Sequence, residues 1–180
     1  MKKFIAIVLG CLALFGCSCT DMGATNAVTD YLNQYKNLSD DVLADLDNTI
    51  NNENLSDKQK DIYKEILKKQ YQDIQYEIID EKYNGDTAVV TAKITVYDLY
   101  KAQNNAQNYM KDNITEFYDD EDIYDNSKYL DYKLDEMKKM TDTTTYTIDF
   151  NVNKDDDKWV VEQPSQTDLE KIHGIYNYEQ

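Results

Sequence analysis

The sequence contains no arginine: all 19 of its basic residues are lysines, set against 35 acidic ones, for a formal charge of −16. Phosphate recognition needs a basic footprint and most often arginine forks, so this balance argues against a nucleic-acid partner. There is one histidine, His173, and the three cysteines, Cys11, Cys17 and Cys19, all precede residue 20. That leaves no His/Cys cluster for zinc, haem or iron–sulfur chemistry, and no cofactor or metal is expected. No disulfide is available to the folded part. Proline occurs once, as Pro164, and no low-complexity linker follows Gly23. The 41% hydrophobic and 30% charged composition is that of a folding chain, and its length suits one domain over residues 24–180.

The one long apolar run stands at the start. Met1-Lys2-Lys3 is a short cationic opening, followed by Phe4 to Gly16 and then Cys17. A spanning helix needs about 20 apolar residues, so this shorter run reads as the hydrophobic part of a secretory leader. Leu14-Phe15-Gly16-Cys17 resembles the lipobox of bacterial lipoproteins, with Phe15 bulkier than the family's usual residue. The resemblance implies a thioether-linked diacylglyceryl group on Cys17 and cleavage between Gly16 and Cys17. Val8-Leu9-Gly10-Cys11 fits the same pattern but leaves too few apolar residues ahead of it. Residues 1–16 are then a cleaved signal peptide and residues 17–23 a lipidated tether. Two acyl chains suffice for stable anchoring. The leader takes two lysines with it, leaving 164 residues at a charge of −18, which an anionic lipid surface would repel. The lipid must therefore hold the protein on the extracytoplasmic face of the membrane, with a Gram-positive cell as the expected host.

Beyond the tether the hydrophobic period is helical, then two, then helical and two again. Val28, Tyr31, Leu32 and Tyr35 predict a first helix capped by Thr25, and Ser39 caps a second with Val42, Leu46 and Ile50 inward. Ser56-Asp57-Lys58-Gln59 is a capping box for a third, whose stripe is Ile62, Tyr63, Ile66 and Leu67. Ile74, Tyr76 and Ile78 then alternate with polar residues, Asn84-Gly85 predicts a tight turn with both residues at positive φ, and Ala88, Val90, Ala92, Ile94 and Val96 form the return strand. Asp98 is read as the cap of a fourth helix with Leu99, Ala102, Ala106, Met110 and Ile114 inward. An acidic, tyrosine-rich loop from Phe117 to Asn126 precedes a fifth helix. A second hairpin turns at Asn153 to Asp157, carries Trp159 and Val161 on its return and ends at Pro164, before a short last helix.

Helices followed by antiparallel hairpins indicate an α+β fold, helices packed on a curved antiparallel sheet of about four strands. The order of helices, Tyr83-Asn84-Gly85-Asp86-Thr87-Ala88-Val89-Val90, Val96-Tyr97-Asp98-Leu99 and Lys158-Trp159-Val160-Val161 resembles bacterial lipoproteins with a domain similar to nuclear transport factor two. That resemblance implies a cystatin-like cone, whose enzymatic relatives place a carboxylate and a tyrosine or acid donor on the concave face. Such a site needs ionisable groups aimed inward. The inward strand positions supply no carboxylate, and the nearest is Asp80, with Tyr76 or Tyr146 as the tyrosine. The expectation is a packed, non-catalytic binding or scaffolding domain, its ligand a small molecule, peptide or envelope protein. The alternatives are an isomerase- or hydratase-like enzyme at the cone mouth and an interaction module built on Phe117 to Tyr132. The sixteen tyrosines read as half-buried fillers of amphipathic positions. Asp119 to Asp122 with Asp125, and Asp155 to Asp157, lack the glycine of a calcium loop and read as solvated acids. His173, just before Gly174, reads as a helix end.

Overall fold

The computed structural model describes residues 23–179; the three cysteines, the lipobox-like Leu14 to Cys17 and the expected leader lie outside them. Three helices come first: α1 (Ala24–Lys36), α2 (Asp40–Asn51) and α3 (Asp57–Gln72). A hairpin of β1 (Gln75–Asn84) and β2 (Thr87–Tyr97) follows. Next are α4 (Leu99–Asp112), a 3-10 turn at Ile114–Phe117 and α5 (Asn126–Lys139). The chain ends with β3 (Thr143–Asp155), β4 (Lys158–Val161) and α6 (Gln166–Ile172). The strands form one open antiparallel sheet in the order β1-β2-β3-β4, so α4 and α5 are an insertion between the two central strands. This is the α+β architecture expected from the alternation of periods.

The sheet is two-sided because its strands are. Ala88, Val90, Ala92, Ile94 and Val96 of β2 and Ile148, Phe150 and Val152 of β3 are buried, while Lys93, Thr145, Thr147 and Asp149 are exposed. Period-2 alternation puts every second side chain on one face, and α1 and α6 cover that face. Val28, Tyr31, Leu32 and Tyr35 of α1 and Leu169 and Ile172 of α6 enter the same cluster. Behind α1 stands α3, flanked by α2 and α5.

Ser39 and Ser56 cap their helices, the latter in the full capping box: Gln59 N donates to Ser56 Oγ and Ser56 N to Gln59 Oε1. Four local expectations change. Gly23, not Thr25, is the N-cap of α1, and Thr25 N donates instead to Glu81 Oε1 across the domain. In the first hairpin Asn84 pairs with Thr87, so the turn's central residues are Gly85 and Asp86, and only Gly85 has positive φ (63°). Ile114 is exposed rather than inward, because α4 stops at Asp112 and the 3-10 turn rotates the next residues. The second turn is shorter than expected: β3 runs to Asp155, and Asp156 and Asp157, at φ 44° and 64°, make a two-residue loop that aspartate tolerates.

Candidate functional site

The inner face of the sheet is where a cone-type site would lie, and side chains occupy it. Tyr31, Tyr35, Tyr63 and Tyr71 are each under 5% exposed, which corrects the half-buried reading for these four, while others such as Tyr76, Tyr97 and Tyr146 are half-buried as expected. The Tyr31 and Tyr35 hydroxyls share a 3.2 Å hydrogen bond, the Tyr35 ring meets Tyr71 edge-on at 5.2 Å, and Tyr31 packs on Phe150 at 5.8 Å. The Tyr71 hydroxyl lies 2.8 Å from His173 Nδ1. Burial drives all of these groups toward their neutral forms. It raises the four hydroxyls, Tyr35 to about 12, and lowers His173 to about 4. Sequence periodicity marks Tyr31, Tyr35 and Tyr63 as inward; it does not reveal the Tyr31–Tyr35 pair, nor that Tyr71 meets His173.

His173 ends α6, as expected, and Gly174 explains why it must. Gly174 has φ 71°, its N–H donates to Lys171 O, and Ile175 N donates to Glu170 O, the paired bonds of a Schellman cap. A Cβ here would stand 2.3 Å from both Gln70 Nε2 and Tyr97 O. Gln70, 1% exposed, holds the end of β2 by accepting from Tyr97 N and donating to Tyr97 O.

The carboxylate–tyrosine constellation of the enzymatic alternative does not form. Asp80 lies in β1 just past an irregularity between Ile78 and Asp80 and pairs with Lys82 at 2.7 Å. Tyr76 donates to Asn33 Oδ1 on α1, and Tyr146 packs against Tyr176 at 5.8 Å, so the three side chains serve separate contacts. A buried carboxylate among the described residues is Asp98, 6% exposed, which the sequence shows only as a helix cap. Its Oδ1 does cap α4, accepting from Lys101 N, and its Oδ2 accepts from Tyr178 in the C-terminal segment, whose hydroxyl is pushed up to about 12 by desolvation and by that carboxylate. Both oxygens are committed to holding the tail against α4, where Tyr100 N also donates to Gly174 O.

The acidic, tyrosine-rich stretch forms the tip of the α4–α5 hairpin. Phe117 is buried among Tyr109, Tyr129 and Tyr132, with ring centroids 5.7 to 6.4 Å away. Asp119 Oδ1 accepts from Glu121 N and Ile123 N, which closes the loop on itself. Asp125 caps α5. Among the described residues no three His, Cys, Asp or Glu side chains converge as metal ligands. Tyr109, Ile114, Ile123 and Tyr124 are exposed around this tip.

Among the described residues no helix packs on the outer face of the sheet, which is rich in hydroxyls. Thr95 and Thr145 share a 2.8 Å hydrogen bond, and Thr91 donates to Asp149 Oδ1 at 2.6 Å. A shallow polar depression of about 230 Å³ at one end is lined by Asp73, Gln75, Thr95, Val96, Tyr97 and Thr143. Tyr97 donates to Asp73 there, and Lys69 sits 3.6 Å over its ring. No helix among the described residues is long and apolar enough to cross a membrane.

No family model matches the chain, and no curated protein matches it. Among solved structures it is similar to YcdA of Bacillus subtilis, provisionally named a lipoprotein, at 17% identity and a TM-score of 0.41. The match covers 85% of this chain and 47% of that one, so the chain spans about half of YcdA's length.

Proposed function

We propose that the protein is an extracytoplasmic bacterial lipoprotein, held at the cell membrane by a diacylglyceryl group on Cys17, whose domain binds or scaffolds and does not catalyse. The leader supports the anchoring: a cationic start, an apolar run too short to span, and a lipobox-like Leu14-Phe15-Gly16-Cys17. The helix–hairpin–helix–hairpin order supports reading the domain as a cone of the kind found in nuclear transport factor two-like lipoproteins.

The observation that carries the non-catalytic part is the occupied inner face. Tyr31, Tyr35, Tyr71 and Phe150 fill the space where a substrate would sit, and the buried acid Asp98 spends both oxygens on structural hydrogen bonds. General acid–base chemistry needs an ionisable group with a free position facing substrate. The partner then meets the outer surface, whose charge disfavours acidic ligands. A Cys17→Ala variant is expected to lose palmitate labelling and leave the membrane fraction. Retention in that fraction would overturn the anchoring.

A further inference from the structure

The two edges of the sheet are built in opposite ways. Along β1 the free edge carries an irregularity at Ile79 and the charged run Asp80-Glu81-Lys82. The start of α1 is tied across it, with Thr25 N on Glu81 and Ala24 N on the Tyr83 hydroxyl at 3.2 Å. Bulges, charges and covering segments are how natural sheets keep an edge from pairing with another chain.

On the other side β4 covers only Val152 to Asp155 of the 13-residue β3. One more bond, Glu162 N to Asn151 O, continues the ladder. The same register would bring Pro164 opposite Asp149, and proline has no N–H to give. Asn151 faces β4, so by the alternation of an antiparallel ladder Thr143, Thr145, Thr147 and Asp149 also aim their N–H and C=O away from β2. Among the described residues none of these groups has a backbone partner.

Thr143 to Ile148 contains no charge, proline or glycine, only β-branched and aromatic residues, and its register with β2 is unbroken from Thr87 to Tyr97. The Thr95–Thr145 and Thr91–Asp149 hydrogen bonds hold this edge from behind.

We propose that the free edge of β3 binds an extended cationic peptide by strand addition, seven residues spanning about 23 Å. This deepens the binding reading and rests on it. An added strand continues the pleat, so its alternate side chains share the outer face with Thr145, Thr147 and Asp149. The one opposite Asp149 pairs across the ladder and is best a lysine or arginine. Side chains on the other face lie beside Tyr146 and Ile148 and are apolar. The charge of −16 selects against a second copy of the chain and for a basic partner.

The test uses the full chain in detergent and a fluorescent nonapeptide of alternating lysine and valine. Controls are a block-sequence peptide of the same composition and an alternating glutamate–valine peptide. Saturable binding of the alternating cationic peptide alone is expected, with hydrogen exchange at the Thr145 and Thr147 amides slowed at least tenfold. Thr147→Pro removes an outward N–H while sparing the β2 ladder, and Thr145→Lys places a charge on the edge; each should weaken binding at least tenfold.

Equal binding of the block peptide, or indifference to both edge variants, would reduce the effect to surface charge and overturn the proposal. Self-association abolished by Thr147→Pro would overturn it too, in favour of a second copy. Peptide binding that fails while wild-type protein stays membrane-anchored and Cys17→Ala is released defeats the edge without touching the anchor.

Discussion

The sheet-centred core and the tip of the α4–α5 hairpin both bury aromatic rings, but they treat hydroxyls differently. In the core, Tyr31, Tyr35 and Tyr71 are buried and must find partners in one another and in His173. At the tip only Phe117 is buried, and Tyr109 keeps its hydroxyl at the surface on Glu116. Phe117 and Ala106 lie outside the cluster that joins the sheet to the helices, whereas Leu99 and Ala102 of α4 and Leu134 and Met137 of α5 belong to it. A buried hydroxyl without a partner costs about 1–3 kcal/mol, so the core is where polar matching and pH are felt. The tip is a satellite that can loosen alone.

The largest expected effect is in the core. Phe150→Ala empties a fully buried site against Tyr31 and should lower global stability by about 3–5 kcal/mol, with amide protection lost throughout in native-state exchange. Protection that survives on β2 would mean that the core is not one cooperative unit.

Acid should strike the same region. His173 is neutral in the folded chain and takes a proton only near pH 4, against an ordinary value of 6.5. The unfolded chain therefore binds more protons between those values, and stability falls as pH drops from about 6.5 to about 4, by about 3 kcal/mol at most. Asp45 and Glu53, whose carboxyls burial raises, act with the opposite sign and blunt the lower end. His173→Gln should flatten the slope in urea titrations at pH 7 and pH 4.5. An unchanged slope would place the acid sensitivity elsewhere.

Gln59 joins the two regions. It is 2% exposed and donates from α3 to Ser127 O, Ser127 Oγ and Asp131 Oδ1 at the start of α5. Gln59→Ala should cost about 2 kcal/mol, from those bonds and half of the capping box, and should raise exchange in the first turns of α5 before anything in β2. Simultaneous loss in both would merge the two regions into one.

Strand faces, hairpin count and the caps at Ser39, Ser56 and Asp98 were legible in the sequence because they depend on spacing alone, whereas Thr25 was misread as the cap of α1. The alternation of Ala88 to Val96 and the pair Ser56 and Gln59 needed no knowledge of neighbours. Gln59 and Gln70, within the lysine-rich third helix, look like surface residues, and their burial depends on Ser127 and Tyr97, far away in the chain. Asp98 was readable as a cap but not as the acceptor for Tyr178, 80 residues on. The open stretch of β3 follows from Pro164 only once β4 is known to pair with Val152 to Asp155. The lipobox-like Leu14-Phe15-Gly16-Cys17 is read from the sequence alone and lies outside the described residues.

The smallest global effect separates the regions most sharply. Phe117→Ala removes the ring around which Tyr109, Tyr129 and Tyr132 pack. Were the tip part of the main core, the loss would match that of Phe150. As a satellite it should cost about 1 kcal/mol in the global transition, because the tip opens locally before the core does. The loss should appear as faster exchange confined to the end of α4, the 3-10 turn and the start of α5, with β2 and β3 unchanged. The loop closed by Asp119 should loosen with it, since Asp125 N donates to Phe117 O and ties the loop to the missing ring's backbone. A cooperative loss of several kcal/mol would show that hairpin and sheet unfold as one body, and the distinction between core and tip would fall.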